Sequence, residues 1–143
     1  MSLNKYLPVR ELVTVIAILL LFLASQKAGA QSKPWVIPAT ASGLKNPIPS
    51  DPTTIKEGKT LYTSYCSPCH GDKGKGDGPA AIALNPKPAD HTSAKVQNET
   101  DGTLFYMISE GRDPMPQLKR TLTENQRWVL VDYIRTLSKT GKK

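Results

Sequence analysis

Cysteine is nearly absent: Cys66 and Cys69 are the only two in 143 residues, and they stand three apart. A disulfide framework of the kind that staples small exported domains is therefore excluded, because one very short loop would constrain almost nothing. Strand-like alternation of useful length is missing, and so are internal repeats, which removes sheet folds and solenoids. The longest uncharged apolar run, Leu12 to Ala24, holds thirteen residues. A helix needs roughly 20 to cross a bilayer. Basic side chains never gather into a block and no basic motif interleaved with aromatics occurs, so nucleic acid is a poor partner.

The N-terminus has an order of its own. Lys5 and Arg10 precede the apolar run, and the small-residue stretch Ala28-Gly29-Ala30 follows it. That is the layout of a secretory signal peptide with cleavage after Ala30. An uncleaved membrane anchor over residues 1–30 is the alternative. Setting this segment aside removes Lys5, Arg10, Lys27 and Glu11 and leaves 16 basic against 11 acidic side chains over 113 residues. A chain of that length builds one domain with a modest core. Its spread positive charge reads either as a solvated surface or as a field that steers an acidic protein partner onto it.

Residues 31–52 carry Pro34, Pro38, Pro47, Pro49 and Pro52 around one apolar patch, Trp35-Val36-Ile37. They predict an irregular arm packed on the domain through Trp35. The domain itself occupies 53–143. A first helix is expected from about Thr53 to Cys69, after Ser50 or Asp51, with Ile55, Gly58, Leu61, Tyr62 and Tyr65 facing inward. Glycines and Pro79, Pro86 and Pro88 make 71–90 a loop. A second helix is expected from Thr100 or Asp101 to about Glu110, stopped by Gly111. The last opens on the capping-box pattern Thr123-Glu124-Asn125-Gln126 and runs to about Ser138, with Trp128, Val131, Ile134 and Leu137 on one face. Short helices joined by loops this long do not bury enough apolar surface to offset the ordering cost of the loops. Something else must fill the middle.

The filler is written in Cys66-Ser67-Pro68-Cys69-His70, a C-x-x-C-H attachment site for a c-type haem. On a helical turn, positions 66, 69 and 70 project from one face. Two thiols can then bond the haem vinyl groups while the neutral imidazole of His70 reaches the iron. A thioredoxin-like dithiol wants a βαβ context, and zinc wants four ligands, with only His91 on hand to join the cluster. Three residues compete for the sixth iron position. Met107 lies among the apolar residues of the second helix and also reads as core. His91 follows the Pro-rich loop and also reads as a solvated loop residue. Met115, in Asp113-Pro114-Met115-Pro116, is preferred, because flanking prolines hold an extended backbone that can approach from the other side. Methionine on the sixth position raises the potential and closes the site, which favours electron transfer over chemistry at the iron.

These residues resemble a class I, monohaem c-type cytochrome of bacterial kind over about 53–138. The matching pieces are Gly58-Lys59-x-Leu61-Tyr62, the haem motif with Gly71, Gly76-Asp77-Gly78-Pro79, Met115-Pro116, and Trp128 with Tyr133-Ile134-Arg135-x-Leu137. The resemblance implies an all-α cytochrome c fold, three to four short helices with long loops wrapped around one covalent haem c. It implies that Gly58 lets the first and last helices cross, that the Pro79 carbonyl accepts the proximal-histidine hydrogen bond, and that Pro86 and Pro88 line the haem wall. The Pro-rich arm departs from the family's minimal pattern. The expected function is single-electron transfer by a His70/Met115-ligated haem. The protein would act as a periplasmic shuttle or as an electron-transfer subunit of a respiratory complex on the outer face of the cytoplasmic membrane. Its partners would be redox proteins with acidic docking surfaces, with membrane association through the N-terminal segment as the variant reading. Two alternatives stay open: a haem enzyme or ligand sensor with an open or displaceable sixth position, and a binding module that uses its haem as core.

Overall fold

The computed structural model describes Glu11, Val13, Thr14 and Ile16 together with residues 34–138. The chain divides into two compact units, Met1–Ser32 and Lys33–Lys143. In the first, the four described positions are helical. The expected signal peptide otherwise lies outside the described residues, and among those described no helix is long and apolar enough to cross a membrane.

The second unit is helical, with α1 (Ala39–Ser42), α2 (Pro52–Tyr65), α3 (Ser67–His70), a 3-10 turn (Pro79–Ala83), α4 (Ala94–Gln97), α5 (Asp101–Glu110) and α6 (Glu124–Thr136). Asp51 caps α2. Its carboxylate accepts from the Thr53 and Thr54 amides at 2.8 and 2.9 Å, and the Thr54 hydroxyl accepts from the Asp51 amide at 2.9 Å. Threonine thus takes the reciprocal place that Glu or Gln fills in the usual capping box. Thr100 caps α5 and Thr123 caps α6, the latter with Gln126 returning the bond. Gly111 ends α5, as its sequence position suggests.

The expected continuous first helix breaks at Cys66. Pro68 has no amide hydrogen to offer the carbonyl four residues back, and its ring crowds that carbonyl, so the chain restarts as a separate turn with proline near its start. Tyr65, expected to face inward, is 41% exposed because it lies at the very end of α2 where the chain turns away.

The helices α2 and α6 make the central crossing of the fold. A Cβ on Gly58 would stand 2.5 Å from the Val129 carbonyl oxygen and 2.8 Å from the Tyr133 Cβ, so only glycine lets the two backbones approach this closely. Burial on α6 goes beyond the single stripe read from the sequence: every residue from Trp128 to Ile134 is buried. Around it gather Tyr62, Cys66, Leu104, Phe105, Ile108, Leu118 and Leu122. Phe105 and Trp128 stack at 4.0 Å with 14° between ring planes. Arg135 ties α6 to the other helices by donating to Asp101 Oδ1, Gln97 O and Glu99 O at 2.8, 2.9 and 2.6 Å.

The Pro-rich arm is ordered against the domain. Gly102 on α5 lets the α1 backbone lie directly on it, since a Cβ there would meet the Ala41 carbonyl oxygen and Leu44. The Thr100 hydroxyl donates to Ser42 O at 2.7 Å, Asn46 Nδ2 reaches Trp128 O at 3.4 Å, and Ile48 packs on the core.

Candidate haem-attachment site

One helical turn carries the attachment residues. The Cys69 and His70 amides both donate to Cys66 O, at 3.1 and 2.8 Å, so the three side chains start from a single rigid turn. Cys66 belongs to the hydrophobic core and Cys69 is half-buried. Both are free thiols. Burial first, and Cys69 next, push the Cys66 thiol up to about 12, so it is protonated at neutral pH.

The following loop folds back over this turn. The Gly76 amide donates to His70 O at 2.8 Å and the Gly78 amide to Cys69 O at 3.2 Å, while Gly71, Gly74 and Gly76 take positive φ. From there the His91 amide donates to Gly74 O at 2.6 Å. The loop thereby returns Ala89 and His91 to the side of His70.

His70 Nδ1 lies 2.9 Å from Ala89 O. Pro79, expected to supply that acceptor, is exposed and instead opens the 3-10 turn, and Ala89 takes its place in this structure. The acceptor fixes which ring nitrogen carries the proton and leaves Nε2 as the ligating atom. Burial lowers the His70 pKa, opposed by the Ala89 bond, so the ring is neutral and fit to bind a metal. Pro86 and Pro88 are half-buried within the loop.

Of the three candidates for the second axial position, His91 is placed most sharply. Its ring stacks on that of His70 at 4.0 Å and 19°, and its Nδ1 lies 3.0 Å from the Tyr62 hydroxyl. Burial first, then His70, hold it down at about 3, so it too is neutral. Met107 is half-buried on α5. Met115 is half-buried and packs against the core cluster to which Cys66 belongs. Arg112 and Met115 form an isolated antiparallel bridge, exchanging both amide bonds at 2.9 and 2.7 Å, with a turn around Asp113 and Pro114 between them.

Two features of the chain fit a haem. The donor set is two unpaired thiols and a neutral imidazole on one turn, which is the chemistry that thioether attachment and axial ligation require. The second is a hydrophobic cluster that holds one of those thiols, Cys66, with Met115 packed on it. Sequence reasoning missed Ala89, because a backbone acceptor leaves no side-chain signature.

Residues 53–134, more than half of the chain, match the family described as "Cytochrome C oxidase, cbb3-type, subunit III". Comparison with curated protein sequences gives no match. Among solved structures, a chain of the reducing HAO-like protein complex of Kuenenia stuttgartiensis is similar, with a TM-score of 0.58 and 28% identity over 78% of this chain. The match covers 53% of that chain, so this protein spans about half its length. Helical architecture, the attachment turn and the family match agree, and the chain belongs to the cbb3-type subunit III family of c-type cytochromes, all-α proteins that transfer electrons through a covalently bound haem c.

Proposed function

We propose that this protein is an exported single-electron carrier whose haem iron is held between His70 and Met115. The observation that carries the reading is that Met115 packs against the same hydrophobic cluster to which Cys66 of the attachment turn belongs. When bound, the haem supplies a one-electron Fe(III)/Fe(II) couple. The residues of this chain do the rest. Cys66 and Cys69 tether the group, and Ala89 O holds the His70 ring in the tautomer that offers Nε2. The soft Met115 sulfur favours the ferrous state and fills the last position, which raises the potential and keeps small ligands out. The protein is then an electron-transfer protein rather than an enzyme.

The N-terminal layout of charge, apolar run and small residues supports export to the periplasm or to the outer face of the cytoplasmic membrane. There the protein works as a shuttle or as the electron-transfer subunit of a respiratory complex. Similarity to a component of a redox complex supports redox proteins as partners, and the excess of 16 basic over 11 acidic side chains in residues 31–143 suits acidic docking surfaces on them.

Replacing Met115 with Ala tests the assignment. The variant should show a lower reduction potential and rapid carbon monoxide binding in the ferrous state, where the wild type binds slowly. A wild type that binds carbon monoxide as fast as the variant would place the protein among haem enzymes or ligand sensors instead.

A further inference from the structure

The N-terminal arm meets the loop that carries Met115 at one pair of side chains. The Arg112 guanidinium lies 4.4 Å from the centroid of the Trp35 ring, within the range of a cation–π contact. Arg112 is also the residue whose backbone pairs with Met115 in both directions, at 2.9 and 2.7 Å. One residue therefore links the arm, through its side chain, to the proposed axial methionine, through its main chain.

The arm is anchored well enough to matter. Its α1 turn lies on α5 at Gly102, Thr100 holds Ser42 O, and Asn46 reaches the backbone of α6. Pro34 and Pro38 bracket the Trp35 segment and limit the backbone freedom on either side of it. Trp35 itself is half-buried while its neighbour Val36 is 87% exposed, so it is the tryptophan side that faces the domain.

We infer that the 34–48 arm is a strap on the axial-ligand loop, with Trp35 and Arg112 acting as positioning residues that keep Met115 seated on the iron. This inference rests on the assignment of Met115 as ligand. A thioether bond to iron is weak, so the fraction of molecules with the sulfur displaced depends on how firmly the loop is held. An arm that clamps Arg112 lowers that fraction without touching the haem.

The test measures the affinity of the ferric holoprotein for imidazole, which enters only when the sulfur has left. Loss of one partly exposed cation–π contact should raise the apparent affinity about two- to fivefold in Trp35→Ala. Arg112→Ala should behave alike, and the double variant should add nothing further. Trp35→Phe, which keeps an aromatic face, should return most of the wild-type affinity, an effect that general loosening of the fold would not produce. Met115→Ala sets the fully open limit. If Met115→Ala opens the site while Trp35→Ala and Arg112→Ala bind imidazole like the wild type, the strap is refuted and the ligand assignment stands. If Met115→Ala itself matches the wild type, both fall. Should Trp35→Ala fail to accumulate with haem, Arg112→Ala decides the question by the same criterion.

Discussion

The rings of His70 and His91 lie face to face, 4.0 Å between centroids and 19° between planes. Imidazoles that bind one iron from opposite sides point nitrogens at each other through the metal, whereas these two present their flat faces. In this arrangement His91 lies against the flat face of the His70 ring. The Tyr62 hydroxyl within 3.0 Å of its Nδ1 steadies it there. The arrangement orients His70 from two directions, by the Ala89 carbonyl at its edge and by a ring against its face.

Replacing His91 with Phe keeps a flat ring in this place and removes its nitrogens. The variant should attach haem and keep the ligand-binding behaviour of the wild type. Carbon monoxide binding as fast as that of Met115→Ala would make His91 the ligand instead.

At the crossing of α2 and α6, Gly58→Ala must push a methyl group against the Val129 carbonyl and Tyr133, neither of which can swing aside as a flexible chain end would. Overpacking of this kind costs about 1–3 kcal/mol, more than the gain in helix propensity returns. Denaturant melting of the two holoproteins should show the loss as a lower midpoint.

Asp132 is buried on α6, and its Oδ2 has no hydrogen-bond partner. Burial chiefly raises its pKa, against a hydrogen bond from Asn46 that lowers it, while Asp101 adds to the rise. A carboxyl whose folded pKa lies above its unfolded value holds its proton longer when folded. It therefore contributes no penalty below the unfolded value near 3.8, and an increasing one as pH rises from there through the folded pKa. The stability of Asp132→Asn relative to the wild type should accordingly improve on going from acid to neutral pH. Thermal melts of both proteins across that range check the sign, and a difference that is flat or falls with pH contradicts it.

Lys73 and Lys75 are exposed on the loop just after the attachment turn. If this face meets an acidic partner, reversing both to Glu should slow electron exchange with an acidic redox protein at low salt, by about tenfold or more. The variant should also lose most of the wild type's sensitivity to added salt. Stopped-flow rates over a salt series measure both effects.

How far the sequence could be read follows from where each signal resides. The caps of α5 and α6 are local patterns, Thr100 with Gly111 and Thr123 with Gln126, and the structure has them in place. The crossing at Gly58 was legible only through the family resemblance, since a glycine inside a helix does not by itself say which backbone lies against it. The break at Cys66 was hidden because the apolar spacing runs on past it, although Pro68 was in view. The turn α1 has four residues and no side-chain cap, too little for any periodicity to register. The partner of His70 was out of reach for a different reason. Ala89 offers only a backbone carbonyl, and its position depends on how three positive-φ glycines steer the loop back. His91 likewise reads as a loop residue until that loop is closed on Tyr62 and His70.

The central claim is a haem iron held by His70 and the sulfur of Met115. The near-infrared spectrum of the ferric wild-type protein at neutral pH addresses it most directly, because sulfur ligation gives a weak charge-transfer band there that nitrogen or water ligation does not. Iron held by His70 and the Met115 sulfur gives that band in the wild type and loses it in Met115→Ala. A wild-type spectrum without it, or a band that survives in Met115→Ala, would rule out Met115 as the ligand.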